Sequence, residues 1–262
     1  MAASCACTTA SSPFEPRSTE LERYFDSATA RRGPGVWKWR SYFSVYERHL
    51  SRFRGTDVHV MEIGIFSGGS LRMWRWYFGP RTTIYGVDIS NRTTVYENDP
   101  RYGSPTRIFV GNQSDPDLWA AVNVPRLDVV IEDGGHHPTQ QRAALQALWP
   151  RLAYGGVYLT EDVHFADNKY AAFVFAEYVN GRYGMNGKFR YKPNDPVESG
   201  STDGGIRGSA LSTAAVSFYH SVVVLDKMPS RAYRQQLVPE RHGTQWEPIS
   251  GGVVPPASSR RG

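Results

Sequence analysis

One pattern restricts the fold more than any other: short apolar runs of strand length alternate with segments of helical spacing. Val58–Ile63 reads as a strand, Gly64–Gly69 as a loop and Ser70–Phe78 as a helix. Thr83–Asp88, Thr106–Val110, Leu127–Glu132 and Val157–Thr160 read as four further strands. Between them, Asp115–Ala121 reads as a short helix with Asp115 near its N-cap, and Pro138–Leu152 as a helix closed by Gly155-Gly156. Continuously apolar strands joined through helices imply a parallel sheet covered on both faces. Phe165–Tyr183 reads as one more helix, and Ala215–Leu225 as an antiparallel hairpin at the sheet edge. The expected class is therefore α/β, with a mostly parallel sheet, an antiparallel edge hairpin and helices on both faces.

Around this core the chain divides by composition. Residues 1–18 read as a disordered tail, 19–54 as an N-terminal helical segment broken at Gly33-Pro34-Gly35, 55–230 as the main domain and 231–262 as a C-terminal tail. Residues 184–211, rich in Gly, Pro, Ser and Asp, read as a lid or acceptor-binding loop. After Val36-Trp37-Lys38-Trp39, residues Tyr42, Phe43, Tyr46 and Leu50 recur with the spacing of an amphipathic helix. Trp37 and Trp39 suit either the pocket or the core.

With 40% hydrophobic residues the chain can bury a core, and no apolar run is long enough to span a bilayer as a helix. The net charge of +5 is concentrated between Arg17 and Arg54. A diffuse nucleic-acid binder would be more basic and more patterned, so nucleic acid is not the expected partner. Cys5 and Cys7, both in the tail, leave the core without a disulfide or a thiolate metal site. Met1–Ser12 lacks the charged and long apolar regions of a secretory signal. The expected compartment is the cytoplasm, with organellar targeting by the tail left open.

The loop Met61-Glu62-Ile63-Gly64-Ile65-Phe66-Ser67-Gly68-Gly69-Ser70 joins strand to helix without the G-x-G-x-x-G dinucleotide spacing. Its glycines allow close backbone approach to a ligand. Glu62, a carboxylate at a strand end, is wrong for pyrophosphate and right for an amine. Asp88 closes the next strand, where an acid can accept ribose hydroxyls. A ligand with an amino-acid end and a nucleoside end, S-adenosylmethionine, satisfies both acids. With Asn112-Gln113-Ser114-Asp115 after the third strand, these residues resemble class I S-adenosylmethionine-dependent methyltransferases. That resemblance implies a Rossmann-like methyltransferase sheet. It also implies a donor held by Glu62, Gly64, Ser67 and Gly68 from the loop, by Asp88, by Gln113 and Ser114, and by Asp133.

Glu132-Asp133-Gly134-Gly135-His136-His137 follows the fourth strand and Thr160-Glu161-Asp162-Val163-His164 closes the fifth. Parallel strands end at one edge, so these acids and histidines should converge beside the donor. Carboxylate oxygens suit a hard cation, Mg²⁺ first. Such an ion can lower the pKa of an aliphatic hydroxyl while a histidine takes its proton. Asp-x-x-His followed by Glu-Asp resembles the metal-dependent macrolide sugar O-methyltransferases of the mycinamicin and tylosin type, over roughly residues 35–228. The resemblance implies Asp133, Glu161 and Asp162 as metal ligands and His136 as general base, with His137 beside it as the rival. It also implies a small-molecule hydroxyl acceptor, sugar or polyol-like. Adjacent Glu161 and Asp162 can serve one metal only if the strand has ended before them.

The macrolide enzymes carry a larger N-terminal domain, so neither their acceptor nor their oligomer transfers, although a homo-oligomer is compatible with the chain. Three other readings stay open on the residues: a non-catalytic S-adenosylmethionine-binding module, a non-haem iron hydroxylase using two histidines and a carboxylate, and a nucleic-acid methyltransferase using the basic segment.

Overall fold

The structure, a computed structural model, describes residues 18–163, 169–183 and 212–230. The expected lid (184–211), the C-terminal tail, His164 and all but the last residue of the N-terminal tail lie outside the described residues. Three helices come first: α1 (Glu20–Asp26), α2 (Ala28–Arg31) and α3 (Arg40–Leu50). Then β1 (His59–Ile63), α4 (Gly69–Phe78), β2 (Thr83–Asp88), β3 (Arg107–Val110), α5 (Pro116–Ala121) and β4 (Leu127–Glu132) alternate. They are followed by α6 (Pro138–Leu148), β5 (Leu152–Thr160), α7 (Tyr170–Tyr183), β6 (Thr213–Tyr219) and β7 (Val222–Lys227).

Local chemistry sets several boundaries. Thr19 and Glu22 form a capping box at α1. Asp115 caps α5 and is followed by Pro116, whose missing N–H costs nothing in the first turn. His137 caps α6 in the same way, with Pro138 next and Gln140 reaching back. The reading of α6 through Leu152 needs correction. Pro150 lacks a donor and disfavours helix before it, so the helix stops at Leu148 and Trp149–Arg151 forms a 3-10 turn. Gly155 and Gly156 belong to β5, beside a register shift against β4. There a Cβ on Gly156 would lie 2.8 Å from Asp128 O.

The seven strands run in the order β3-β2-β1-β4-β5-β7-β6. β3, β2, β1, β4 and β5 are parallel neighbours, and β7 and β6 are the antiparallel edge. The expected sheet and edge hairpin are present. Register places Ile63 beside Val87 and Glu132, and Glu132 beside Thr160. The residues that follow, Gly64, Asp88, Asp133 and Glu161, therefore leave the sheet side by side at its carboxyl edge. Strand order reverses between β1 and β4, where ligands of open α/β sheets bind.

Alternation along the strands sorts the core into two layers. Val60, Ile84, Val129, Ile131, Val157 and Leu159 pack with α1, α3 and α4 through Leu21, Phe43, Tyr46, Leu50, Trp74 and Phe78. Met61, Tyr85, Val130 and Tyr158 pack with α5, α6 and α7 through Trp119, Leu145, Leu148 and Tyr170. The same parity aims Glu62 and Glu161 at the α3 side and Glu132 at the α6 side.

The N-terminal segment is seated on the glycine loop. A Cβ on Gly69 would lie 2.2 Å from Gly35 O and 2.4 Å from Pro34 O. Gly69→Ala must therefore push this segment away, at an expected cost of roughly 2–3 kcal/mol in urea denaturation. Gly55→Ala, in open space at φ +68, carries only the left-handed backbone penalty of about 1 kcal/mol. Equal losses in the two variants would contradict the seating.

Candidate active site

A cavity of about 670 Å³ opens at the carboxyl edge of the sheet. Gly64, Ser67 and Asp88 line one part, and Asp133, His136 and Asp162 are in the same wall. Three of its non-glycine residues have left-handed backbone: Phe66 (φ 41), His136 (φ 55) and Asp162 (φ 53). Such backbone costs of order 1–3 kcal/mol each and is held here by tight loops.

The donor-side residues divide by placement. Gly64, at φ +83, lets the loop pass against β4, since a Cβ there would lie 2.1 Å from Asp133 O. Asp88 orders the loop: Oδ2 accepts from Ile65 N (3.1 Å) and Phe66 N (3.0 Å), and Oδ1 from Ser90 N (2.8 Å). Oδ1 therefore keeps a lone pair for a ligand hydroxyl. Gln113 lines the cavity, but its amide donates to Glu132 Oε1 at 2.8 Å and accepts from Gly135 N at 3.0 Å, tying the β3 loop to the β4 loop. Ser114 is exposed and its N–H closes a turn on Asn112 Oδ1, and Asn112 lines the wall instead. Gly68 supplies the left-handed N-cap of α4 behind the wall. Glu62 is fully buried and also lies behind the wall, where Oε2 accepts from Ser70 Oγ at 2.8 Å.

The acids of β4 and β5 meet a cation from the N-terminal segment. Lys38 Nζ lies 2.5 Å from Asp133 Oδ2, 2.8 Å from Glu161 Oε2 and 3.7 Å from Glu62 Oε1. Burial opposes the ammonium, but Asp133, Glu161 and Glu62 outweigh burial and hold its pKa well above the usual lysine range. Helix α3 adds two phenols one turn apart. Tyr42 OH donates to Asp162 Oδ1 at 2.5 Å, and Tyr46 OH to Glu161 Oε1 at 2.6 Å. Burial and the charge of Asp133 push the Glu161 carboxyl up.

Strand β5 ends at Thr160, so adjacent Glu161 and Asp162 both line the cavity rather than taking opposite faces of the sheet. Gln141 on α6 donates to Glu161 O at 3.0 Å, and the left-handed turn at Asp162 swings its carboxylate to His136. Asp133, His136 and Asp162 offer ligand atoms within 4.8 Å of one another, a set that could hold a metal ion. His136 Nε2 is 3.7 Å from Asp162 Oδ2 and its Nδ1 4.0 Å from Asp133 Oδ1. Glu161, the third expected ligand, has both oxygens engaged by Lys38 and Tyr46. His137 is turned to the α6 cap, with Nδ1 2.7 Å from Thr139 Oγ1. Among the described residues, the cluster thus has one histidine and two carboxylates, not the two histidines of an iron facial triad. Much of the basic segment is internally paired, Arg40 with Asp26, Arg54 with Glu20 and Arg52 with Asp226.

Sequence reasoning missed the roles of Lys38, Tyr42 and Tyr46. The phenols were visible as an apolar helix face, but nothing local marks Lys38, whose partners lie 95 and 123 residues away. Trp37 and Trp39, on either side of it, line the cavity and are 88% and 57% exposed, which assigns them to the pocket rather than the core.

Residues 61–163 match the protein family described as "Methyltransferase domain". The chain is 38% identical over 144 residues to 8-demethyl-8-alpha-L-rhamnosyl tetracenomycin-C 2'-O-methyltransferase of Streptomyces olivaceus, covering 51% of this chain and 36% of that one. It is 35% identical over 127 residues to mycinamicin VI 2''-O-methyltransferase of Micromonospora griseorubida, covering 45% and 30%. These matches span about a third of the relatives' length. Among solved structures, the MycE methyltransferase of the mycinamycin biosynthetic pathway, in complex with Mg, SAH and mycinamycin VI, superposes with a TM-score of 0.56 at 24% identity, covering 81% of this chain and 54% of that chain. The Rossmann-like methyltransferase fold is thereby shown, and the resemblance to class I methyltransferases of the macrolide sugar O-methyltransferase type is borne out. No helix among the described residues is long and apolar enough to cross a membrane.

Glu132, fully buried on the α6 side, gives a pH test of this site. Burial raises its carboxyl from 4.5 to about 7, against hydrogen bonds from Gln113 and Gly134 N–H. Its folded value lies above its unfolded value, so it costs stability as pH rises through that interval. In metal-free buffer, Glu132→Gln should match the wild type near pH 4 and exceed it by roughly 1–3 kcal/mol near pH 8 in urea unfolding. A difference that does not change with pH would contradict this.

Proposed function

We propose that the chain is an S-adenosylmethionine-dependent, Mg²⁺-assisted O-methyltransferase that acts on a hydroxyl of a sugar or polyol-like small molecule. The observation that carries this reading is the shared cavity: the Gly64–Ser67 loop and Asp88 line the same space as Asp133, His136 and Asp162. A donor lying over the loop would rest beside the acids. The relatives support the chemistry, since one name specifies 2'-O-methylation of a rhamnosyl tetracenomycin, the other 2''-O-methylation of mycinamicin VI, and the MycE complex contains Mg and SAH.

The donor set fits the ion. Asp133 and Asp162 present hard oxygens on one wall: Asp133 Oδ2 is held by Lys38 and Asp162 Oδ1 by Tyr42, which leaves Asp133 Oδ1 and Asp162 Oδ2 turned toward His136. Mg²⁺ is commonly held by one or two carboxylates, with its other positions left to water or substrate. When bound, it lowers the pKa of an aliphatic hydroxyl and fixes its direction.

The chain's own residues do the rest. Asp88 holds the loop closed with one oxygen and offers the other to the donor's ribose. Tyr42 fixes Asp162, and Lys38 fixes Asp133. His136, beside both acids, takes the hydroxyl proton as the acceptor oxygen bonds to the methyl carbon. The carbon–sulfur bond breaks, and S-adenosylhomocysteine is released. Trp37, Trp39 and Phe66, all exposed at the cavity, present apolar faces that shed water from an acceptor ring.

Calorimetric titration with S-adenosylmethionine, followed by methyl transfer to a panel of hexose glycosides, tests the proposal. Asp88→Ala should weaken donor binding by about tenfold or more, as expected for a lost charge-assisted hydrogen bond and a loosened loop. Chelation should abolish transfer and Mg²⁺ restore it. His136→Ala should lower kcat by about 10²–10⁴ while donor affinity is kept. No donor binding by the wild type, or transfer indifferent to chelation, would sink the reading.

A further inference from the structure

The acidic centre offers a cation two places that share one carboxylate, and the inner one is already filled by the Lys38 ammonium at the cavity wall. Asp133 Oδ2 faces Lys38, while its Oδ1 faces His136 and the Asp162 wall. The inner position is bounded by Glu62, Asp133 and Glu161, and the Lys38 side chain filling it is 3% exposed. Glu62 is fully buried, with Ser70 and the Trp74 indole N–H beside its carboxylate; among the described residues its Oε1 has no hydrogen-bond partner in good geometry, and the Lys38 ammonium lies 3.7 Å from it. A buried carboxylate oxygen left in this state is undersupplied with positive charge.

We propose that Lys38 is a built-in second cation: its ammonium takes the inner position of what would otherwise be a two-metal carboxylate centre, and so limits the protein to one divalent ion, on the Asp133–Asp162 face. This rests on the divalent-ion reading above and adds to it a positioning residue and a fixed stoichiometry. A tethered ammonium brings its charge without leaving the site. It holds Asp133 in place before any ion arrives and keeps Glu62 and Glu161 from drawing that ion inward, away from His136 and the acceptor side. The residue comes from the loop between α2 and α3, before the segment that matches the methyltransferase domain, so the centre is completed from outside that segment.

The test counts bound Mn²⁺ by electron paramagnetic resonance in the wild type, Lys38→Arg, Lys38→Met and the double variant Lys38→Met/Glu62→Gln. The expected result is one further ion in Lys38→Met relative to the wild type, no gain in Lys38→Arg, and return to the wild-type count in the double variant. In Lys38→Met the Glu62 carboxylate is what would hold the added ion at the inner place, so its removal should remove that ion. If Lys38→Met does not fold without metal, it is refolded in Mn²⁺ and counted after gel filtration. An unchanged count in Lys38→Met overturns the proposal. A wild type that binds no ion would overturn the reading in the preceding section and the one-ion limit with it, whereas a wild type with one ion and an unchanged Lys38→Met overturns the proposal alone.

Discussion

The ammonium of Lys38 is the contact on which the organisation of this protein turns. A parallel sheet brings the carboxyl ends of its strands together, and here β1, β4 and β5 carry Glu62, Asp133 and Glu161 to nearly one point. Two buried carboxylates and a third that is half-buried, that close, would repel one another and pay heavily for lost hydration. One lysine answers all three. Its segment is held on the glycine loop by the Gly69 contact, and the helix it leads into supplies Tyr42 and Tyr46 to Asp162 and Glu161. The N-terminal helices thus cover one face of the sheet and also build the site.

Much of the fold was legible because it depends on local periodicity. Each parallel strand was recognisable as an apolar run, and β2 and β4 have the expected bounds. The hairpin at the edge was visible as a second apolar stretch after a long polar interval. The end of α6 is less legible, because Gly155-Gly156 resembles a stop signal although Pro150 already ends the helix. The glycines belong to β5 instead, and at Gly156 close packing against β4 excludes a side chain.

The site was legible in its residues and less so in their pairing. The acids and His136 stand at strand ends, which topology places along one edge. Which face each acid takes follows from strand parity: Glu62 and Glu161 turn to α3, and Glu132 turns to Gln113. The partner waiting on each face is a matter of tertiary structure, and Lys38 carries no local signal for it. Histidine identity was equally hidden. His136 and His137 are adjacent, and only the left-handed backbone at His136 and the α6 cap at His137 separate their surroundings.

The most direct measurement is anomalous diffraction from crystals soaked in Mn²⁺ with S-adenosylhomocysteine. The account predicts one strong peak within ligand distance of Asp133 and Asp162, with His136 beside it and the Lys38 side chain still between Glu62 and Glu161. A peak at the present position of the Lys38 ammonium, with that side chain displaced, would contradict it, as would the absence of any peak at these acids.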